Sequence, residues 1–371
     1  MTGRTFRTGL TVLRVVAALR VLPVVVRTAR VVRGGTPDPG SSATIASPAR
    51  RPTISVVIPA RDEADRIEPL LAALGRAPGV DELIVVDDES TDETAATAAR
   101  VGARVIAGSP TPPGWAGKTW ALEQGLAVAA GEWLICLDAD TRPTPDLPTW
   151  LIDRARSDRL DLVSVSGVID LPATARWLHA AMLATLVYRF GGPGTTTVGR
   201  EIVNGQCVAF RRTALVDAGG FGLVADAVTE DVALARALAR RGWRVGLVDG
   251  GHRLVVEPYR SLGEVWSGWG RSIGLPGVEP RLRVTADAAV LLVTMSVPFW
   301  RLLRRSADVL DLVLAAVRIG SLVGMRSAYR DAGPGYWCSP LADPVAVAAI
   351  ACSAVRRSVT WRGRRLAVGA R

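Results

Sequence analysis

The stretch EWLICLDADTRPTPD, residues 132–146, decides the fold of this chain. Its apolar run from Trp133 to Leu137 predicts a buried strand, which stops at two carboxylates, Asp138 and Asp140, and a Pro-rich turn. Ligands of open α/β sheets gather at the carboxyl ends of strands. Two carboxylates at such an end can hold a hard divalent cation, and that cation can hold a diphosphate.

The chain around this stretch alternates between strand and helix patterns. Repeated strand–helix units with apolar strands predict an α/β fold, in which helices flank a mainly parallel sheet on both faces. A separate helix is predicted at 229–242, from the N-cap Thr229 to Gly242. Strands are predicted at 54–59, 82–87, 103–108 and 133–138, and the helices between them at 62–75, 92–101 and 117–130.

Composition and charge point towards a membrane surface. Of the 371 residues, 49% are hydrophobic, and the mean hydropathy of +0.25 is high for a purely soluble enzyme. The net charge of +10 comes from Arg residues concentrated in 1–51 and 356–371, whereas the middle of the chain is slightly acidic. A basic chain raises nucleic acid as a partner. Because these basic ends adjoin apolar segments, we predict no nucleic acid and an attraction to anionic lipid instead.

The same patterns divide the chain into four parts. The apolar N-terminal segment is interrupted by Arg14, Arg20 and Arg27, so an interfacial helix is favoured over a spanning one. Three apolar stretches, 286–300, 307–325 and 342–355, have Arg-rich flanks that belong on the cytoplasmic side of a cell membrane. The predicted parts are the N-terminal helix (1–33), a Gly/Pro/Ser linker (34–52), an α/β domain (53–280) and a membrane-associated C-terminal helical region with a basic tail (281–371).

Cysteine and histidine offer little chemistry. The four Cys residues have no CxxC or His-paired spacing, so no zinc site is predicted. His179 and His252, the only histidines, are expected to be packing or surface residues. Lys118 is the only lysine in the chain. It is expected either to reach phosphate oxygens as a point charge or to be an ordinary surface lysine.

Polar residues follow the first two predicted strands. The segment PARDE (59–63) lacks the GxGxxG of a dinucleotide-binding fold, which disfavours an oxidoreductase. Its Glu63 can meet a ribose hydroxyl or a base, although the acids there can also favour the start of a helix. After the second strand, DDESTDET (87–94) offers a carboxylate for a uracil N–H or a ribose hydroxyl. Ser90, Thr91 and Asp92 can equally cap a helix.

The segment TED (229–231) is the third acidic cluster. As a plain helix start, its acids would interact with the helix dipole. As a functional group, Asp231 would be a general base that takes a proton from an acceptor hydroxyl. Together with a diphosphate leaving group bound to a metal ion, it would complete a displacement site.

Taken in order, VVIPARDE, VVDDEST, LDAD and TED resemble the motifs of family 2 glycosyltransferases, which have the GT-A fold. The resemblance covers roughly residues 53–250. The segments GWAGKTWALEQG (114–125), NGQCVAFRR (204–212) and WRGRR (361–365) are similar to a membrane-associated branch that acts on carotenoid- or hopanoid-type lipids.

This resemblance implies a UDP-sugar donor whose diphosphate is bridged by Mg²⁺ or Mn²⁺. It also implies a single inverting displacement with Asp231 as the base and Glu230 beside it. Asp140 would be the main metal ligand, and Asp138 would help to hold the nucleotide. The remaining implied contacts are Ala60, Glu63 and Asp88 for uridine and Lys118 for the phosphates.

One motif departs from the family pattern. The processive synthases carry QxxRW after TED, but this chain has EVWSGWGRS at 264–272. Trp266 and Trp269 can still form a sugar or lipid platform with Arg271 beside the phosphates, or they can simply pack a helix. The chain is therefore expected to transfer one sugar to a hydroxyl or phosphate of a lipid-like acceptor. The alternatives are a non-catalytic GT-A-like membrane binding module and a sugar-phosphate nucleotidylyltransferase, which would normally need a Gly-rich GxGTR-like loop that PARDE lacks.

Overall fold

A mixed eight-stranded sheet lies at the centre of the α/β domain. The computed structural model describes residues 14–29, 51–195, 199–356, 358–361 and 364–367. The strands of the sheet are β1 (Ile54–Ala60), β2 (Val80–Asp87), β3 (Arg104–Ala107), β4 (Trp133–Leu137), β5 (Thr141–Pro143), β6 (Leu162–Ile169), β7 (Cys207–Arg211) and β8 (Val245–Val256). Their order across the sheet is β3-β2-β1-β4-β7-β6-β8-β5.

Helices cover both faces of this sheet, as predicted. Ile58 and Leu70 belong to the core on one face, whereas Val57 and Leu122 belong to the core on the other. The helices up to the end of the α/β domain are α1 (14–29), α2 (Ala64–Leu74), α3 (Thr94–Arg100), α4 (Gly117–Val128), α5 (Leu147–Ser157), α6 (Ala173–Phe190), α7 (Arg212–Asp217), α8 (Glu230–Ala239) and α9 (Leu262–Ser272).

The predicted parallel arrangement is confirmed for the first half of the sheet. Strand β1 lies parallel to both β2 and β4, and β2 lies parallel to β3. Strand β7 runs antiparallel to both of its neighbours, and β5 runs antiparallel to β8, which the sequence patterns did not predict. Because β1, β2 and β4 are parallel, their carboxyl ends meet at one edge of the sheet. The polar segments after these strands therefore come together there.

The C-terminal apolar stretches are helical. They form α10 (Arg281–Leu291), a π-helical turn (Leu292–Ser296), α11 (Val297–Leu303), α12 (Val309–Met325), α13 (Gly333–Trp337) and α14 (Asp343–Val355). Helix α10, the π-helical turn and α11 are continuous over Arg281–Leu303, and this is the one described helix that is long and apolar enough to cross a membrane. Beyond α14, β9 (Ser358–Trp361) and β10 (Arg364–Ala367) pair as an antiparallel hairpin. Much of the predicted linker and part of the basic tail lie outside the described residues.

We call α1 and α10–α14 together the helical region. Its core includes Val21 of α1 and Ile350 of α14, and it is continuous with buried residues of α6 and α9. The N-terminal helix therefore packs against the C-terminal helices, although the sequence places them at opposite ends of the chain. Buried Arg14 donates hydrogen bonds to both Asp308 and Asp311, which ties the start of α1 to the start of α12.

Gly125 allows α4 to pack directly on the sheet. A Cβ atom there would overlap the Val57 Cγ1 methyl group in the core. We expect Gly125→Ala to lower the melting temperature, because overpacking a core typically costs about 1–3 kcal/mol. Gly320→Ala in α12 is the matched control, since its Cβ would meet nothing within 4 Å. Equal melting temperatures for the two variants would contradict this packing.

Candidate active site

A cavity of about 510 Å³ opens at the carboxyl ends of β1, β2 and β4. Helices α8 and α9 and the loop 204–206 close its other sides. Nine of the ten site residues predicted from the sequence line it, and Trp269 does not. The nine are Ala60, Glu63, Asp88, Lys118, Asp138, Asp140, Glu230, Asp231 and Arg271.

The loops after β1 and β2 hold each other in place. Asp62 and Glu89 have φ angles of 51° and 56°, a left-handed conformation that non-glycine residues rarely adopt. The Asp62 backbone N–H donates to Ser90 Oγ, and the Thr91 N–H donates to Asp62 Oδ1. Backbone strain of this kind persists where surrounding contacts over-determine it, and it clusters at ligand sites.

The sequence left two roles open for DDESTDET, contact with a nucleotide and capping of a helix, and different residues of the segment are placed for each. Asp92 accepts hydrogen bonds from the backbone N–H groups of Ala64 and Thr94, at the starts of α2 and α3. Asp88 is buried, lines the cavity, and its N–H donates to the Ala60 carbonyl at 2.8 Å. Asp92 therefore orders the helix starts, while Asp88 remains in the cavity wall.

Lys118 bridges two of the acidic motifs. Its Nζ lies 2.8 Å from Asp138 Oδ1 and 2.9 Å from Glu230 Oε1. Burial lowers the pKa of Lys118, but the two carboxylates outweigh burial and hold the pKa well above its ordinary value. The alternative of an ordinary surface lysine is wrong, since the Lys118 side chain lines the cavity. Its link to Glu230 is a contact that sequence reasoning missed.

Asp140 has an unused oxygen. Its Oδ1 is buried and has no hydrogen-bond partner among the described residues. Burial raises the pKa of Asp140 to about 7, and the nearby Asp138 and Glu63 carboxylates add to the shift. An unsatisfied buried acceptor is unfavourable, and a cation beside it would relieve both the lost solvation and the repulsion.

The donor set fits a metal ion that is shared with phosphates. No group of three or more His, Cys, Asp or Glu that could hold a metal occurs among the described residues. Mg²⁺ commonly uses only one or two carboxylates, together with substrate phosphates and water. Asp140 and the neighbouring Asp138 therefore suit a nucleotide-bound Mg²⁺ or Mn²⁺ better than a metal site made by protein alone.

Asp231 is fixed by two backbone donors. Its Oδ2 accepts from Gly205 N–H and its Oδ1 from Val232 N–H, both at 2.8 Å. A Cβ on Gly205 would lie 2.9 Å from Asp231 Oδ2, so only glycine allows this close approach. Burial raises the pKa of Asp231 to about 7, and Glu230 adds to the shift.

The start of α8 departs from a simple helix cap. Thr229 occupies the N-cap position, but its side chain makes no capping hydrogen bond, and its buried Oγ1 has no partner among the described residues. The helix also ends at Ala239, before the predicted end at Gly242. Its first-turn acids face the cavity, with Glu230 bound to Lys118. The segment is therefore a helix start, as the alternative held, and its first-turn acids also lie in the cavity wall.

The two tryptophans of α9 lie in different environments. The Trp269 ring contacts the His179 ring edge-on, 5.3 Å between centroids, and its buried Nε1 has no hydrogen-bond partner among the described residues. Trp269 thus packs the helix, as the alternative in the sequence held, and does not form a cavity platform with Arg271. Trp266 is 43% exposed.

The predictions for the two histidines are confirmed. Burial lowers the pKa of His179 to about 3, and its Nδ1 hydrogen-bonds with the Tyr329 hydroxyl at 2.7 Å. His252 is exposed. The sequence did not assign several cavity residues, namely Asn204, Gly205, Gln206, Pro258 and Tyr259. The segment NGQCVAFRR contains the first three of these residues, and its resemblance to the family was the only signal in the sequence that pointed to those three.

Part of this chain is similar to known glycosyltransferases. The family model described as Glycosyl transferase family 2 matches residues 55–218. Glucosyl-3-phosphoglycerate synthase of Mycolicibacterium paratuberculosis is 40% identical over 106 residues, which cover 27% of this chain and 32% of that protein. The 4,4'-diaponeurosporenoate glycosyltransferase of Staphylococcus haemolyticus is 25% identical over 244 residues, which cover 62% of this chain and 64% of the relative. The second relative agrees with the resemblance to a carotenoid-type branch.

The chain thus spans between about a third and about two thirds of the length of these curated relatives. A solved structure of glucosyl-3-phosphoglycerate synthase from Mycobacterium tuberculosis, in complex with Mn²⁺, UDP and glucosyl-3-phosphoglycerate, is 28% identical. The match covers 60% of this chain and 78% of that one, with a TM-score of 0.41, which is below the level at which a likeness bears on the fold. Residues 55–218 of the chain thus match the domain of glycosyl transferase family 2.

Proposed function

We propose that this protein transfers one sugar from a nucleotide sugar, of the UDP-sugar class, to a hydroxyl or phosphate of a lipid-like acceptor. The transfer inverts the configuration at the anomeric carbon. The observation that carries the proposal is that Asp140 and Asp231 line one cavity. Asp140 has a buried oxygen without a hydrogen-bond partner among the described residues, and Asp231 is held by two backbone N–H groups. A cation-binding carboxylate and an oriented base are the two groups that such a displacement needs.

Each residue has a distinct task in this proposal. Ala60, Glu63 and Asp88 form the wall for the uridine, while Asp140, with Asp138, would hold Mg²⁺ or Mn²⁺. When bound, the cation supplies Lewis-acid stabilisation of the diphosphate leaving group. The Lys118 ammonium group lies between Asp138 and Glu230, where it can also contact phosphate oxygens.

Asp231 would accept the proton of the acceptor hydroxyl as the new glycosidic bond forms. Its two backbone hydrogen bonds fix the carboxylate in one orientation. A positioned base of this kind contributes typically about 10²–10⁴-fold to a rate. The absence of QxxRW at 264–272 supports the transfer of a single sugar rather than processive synthesis.

The pattern of burial on α12 supports a membrane environment. A helix on the surface of a soluble protein buries apolar residues and exposes polar ones. Helix α12 departs from this pattern, since its buried face holds Asp311, Arg318 and Ser321 as well as apolar residues such as Leu314 and Leu322. Its exposed residues are all apolar or glycine, namely Val309, Leu312, Val313, Ala316, Ile319, Gly320 and Val323.

Helix α14 likewise buries a charged residue and exposes apolar ones. Asp343 is buried and accepts two hydrogen bonds from Arg318, each 2.8 Å long. The exposed side chains of α14 include Val345 and Val355. Charges that are paired inside the helical region and an apolar exterior are what a lipid environment requires. We therefore propose that the helical region associates with the cell membrane, with the Arg-rich flanks and the α/β domain on the cytoplasmic side.

The proposal is tested by incubating membranes that contain the protein with a panel of radiolabelled nucleotide sugars and Mn²⁺ or Mg²⁺. We expect label from one UDP-sugar in the lipid fraction, and its loss on chelation with EDTA. Mass spectrometry of the labelled lipid would identify sugar and acceptor together. Label that remains in nucleotide form with every sugar, while UDP still binds, would support a non-catalytic binding module instead.

The pH dependence of transfer tests the base. Since the pKa of Asp231 is about 7, its carboxylate becomes protonated and inactive as the pH falls through that value. An ordinary aspartate would stay ionised down to about pH 4. We therefore expect kcat/KM to fall about tenfold per pH unit below pH 7 and to level off above it. Initial rates at fixed, saturating metal concentration would measure this, and a flat profile between about pH 5 and about pH 7 would contradict it.

A further inference from the structure

The loop 204–206 connects the two chemical parts of the candidate site. The Gln206 carbonyl accepts a hydrogen bond from the Asp138 backbone N–H at 3.1 Å. One residue earlier, the Gly205 N–H donates to Asp231 Oδ2 at 2.8 Å. In the proposed transfer, the anomeric carbon lies between a diphosphate held near Asp138 and an acceptor oxygen held near Asp231. The sugar ring that contains this carbon therefore lies against the loop.

Strand β6 fixes the start of this loop. The Asn204 backbone N–H donates to Ser164 Oγ at 2.7 Å, and the Ser164 hydroxyl donates to the Asn204 carbonyl at 2.8 Å. Ser164 lies in β6 and is fully buried. Because the loop is tied to the sheet in this way, its side chains are presented from one fixed position.

The hydrogen bonds of Asn204 decide which end of the Gln206 carboxamide is available. Asn204 Nδ2 donates to the Val165 carbonyl, and Asn204 Oδ1 accepts from the Gln206 backbone N–H, both at 3.2 Å. A flipped Asn204 amide would set acceptor against acceptor and donor against donor. Asn204 Nδ2 also donates to Gln206 Oε1 at 3.0 Å, so Gln206 Nε2 is the other, outer end. None of the described residues accepts a hydrogen bond from Nε2, and Gln206 lines the cavity.

The Gln206 amide is a hydrogen-bond donor in a wall that consists mainly of acceptors. Seven carboxylates line the cavity, against four basic side chains. An ionised carboxylate only accepts hydrogen bonds, whereas a sugar hydroxyl both donates and accepts. The Lys118 ammonium group already contacts Asp138 and Glu230. A sugar hydroxyl that donates to one of the acids can therefore accept a hydrogen bond from the Gln206 amide in return.

We propose that Gln206 is a specificity-determining residue, which donates a hydrogen bond from Nε2 to one hydroxyl of the transferred hexose. This inference rests on the proposed sugar transfer and names how that site recognises the sugar rather than the nucleotide. A hexose that lacks this hydroxyl leaves the Gln206 amide desolvated and without an acceptor. Sites that hydrogen-bond a substrate hydroxyl discriminate strongly against analogues without it for this reason.

Transfer kinetics with deoxy sugars test the contact in membranes that contain the full chain. The probes are UDP-glucose, UDP-galactose, UDP-N-acetylglucosamine and UDP-N-acetylgalactosamine, with the monodeoxy analogues of whichever sugar the wild type transfers. We expect kcat/KM of the wild type to fall about tenfold for one analogue. Gln206→Met should lose about as much with the complete sugar, and nothing further with that analogue. A wild type that is indifferent to every hydroxyl, or a variant that loses as much as the wild type with each analogue, would overturn the contact.

Gln206→Glu separates the donor from the structure of the loop. It keeps an acceptor for Asn204 Nδ2 but has no amide donor, so we expect the same loss of transfer. The melting temperature and the affinity for UDP with Mn²⁺ should stay unchanged, and a loss of UDP affinity would show a structural role instead. Gln124→Met is the matched control, because Gln124 is the other glutamine of the chain, lies outside the cavity lining and bonds to Ser109.

The same measurements distinguish this inference from the proposed function. If the wild type transfers none of the four sugars, the proposed UDP-sugar transfer fails. If it transfers one of them and both Gln206 variants match Gln124→Met, only the role of Gln206 fails.

Discussion

Asp231→Asn is expected to reduce sugar transfer by about 10²–10⁴-fold, the contribution typical of a general base. The amide is close in size to the carboxylate but cannot take a proton from the acceptor. Because Asp231 is buried and contacts Gly205 and Val232 through backbone hydrogen bonds, the variant must be checked for its melting temperature. Binding of UDP with Mn²⁺, measured by calorimetry, should be retained.

Glu230→Gln provides a comparison within the same helical turn. Glu230 binds Lys118, and no described residue donates a backbone hydrogen bond to its carboxylate, so we expect a smaller loss of transfer. If Asp231→Asn kept full activity while Glu230→Gln lost it, the base would have to be reassigned to Glu230. If both variants kept full activity, the displacement would not use this segment of α8.

Asp140→Asn is expected to abolish the metal dependence of nucleotide binding. The neutral amide is a much weaker ligand for Mg²⁺ or Mn²⁺ than the carboxylate, whose Oδ1 accepts no hydrogen bond from the described part of the chain. We expect the affinity for UDP in Mn²⁺ to fall to the value that the wild type has in EDTA, and transfer to be lost with it. Calorimetric titration of UDP with and without Mn²⁺ measures this directly.

Asp146→Asn is a suitable control for that experiment. Asp146 follows Asp140 by six residues, lies outside the cavity lining and pairs with Arg253 on the surface. Its replacement should leave both UDP binding and transfer near the wild-type values, since exposed ion pairs contribute about 0–1 kcal/mol. Retention of Mn²⁺-dependent binding in Asp140→Asn would refute the assignment of Asp140 as the metal ligand.

The α/β part of the fold could be read from local patterns. Strands such as β1 and β4 are apolar runs that end at polar turns, and this pattern survives in the structure because the sheet is covered on both faces. The antiparallel β7 could not be predicted, because its direction depends on partners that are far away in sequence. The same holds for α1, whose burial against α10–α14 depends on ion pairs such as Arg14 with Asp308.

The site was predictable where a residue follows a strand directly. Asp88, Asp138 and Asp140 are each within three residues of a strand end, so strand prediction alone brings them to one edge. Trp269 was misplaced because helical spacing does not say which face of α9 points into the cavity. The contact of Lys118 with Glu230 joins segments more than a hundred residues apart, and no local pattern encodes it.

The pairing of Arg14 with Asp311 has a consequence for biosynthesis. The two residues are separated by 297 positions, so α1 leaves the ribosome long before its partners exist. At a synthesis rate of about 5–20 residues per second, the wait lasts roughly 15–60 s. During that interval Arg14 lacks the two carboxylates that pair with it in the folded protein. A chaperone or early contact with the bilayer would protect the nascent helix over that time.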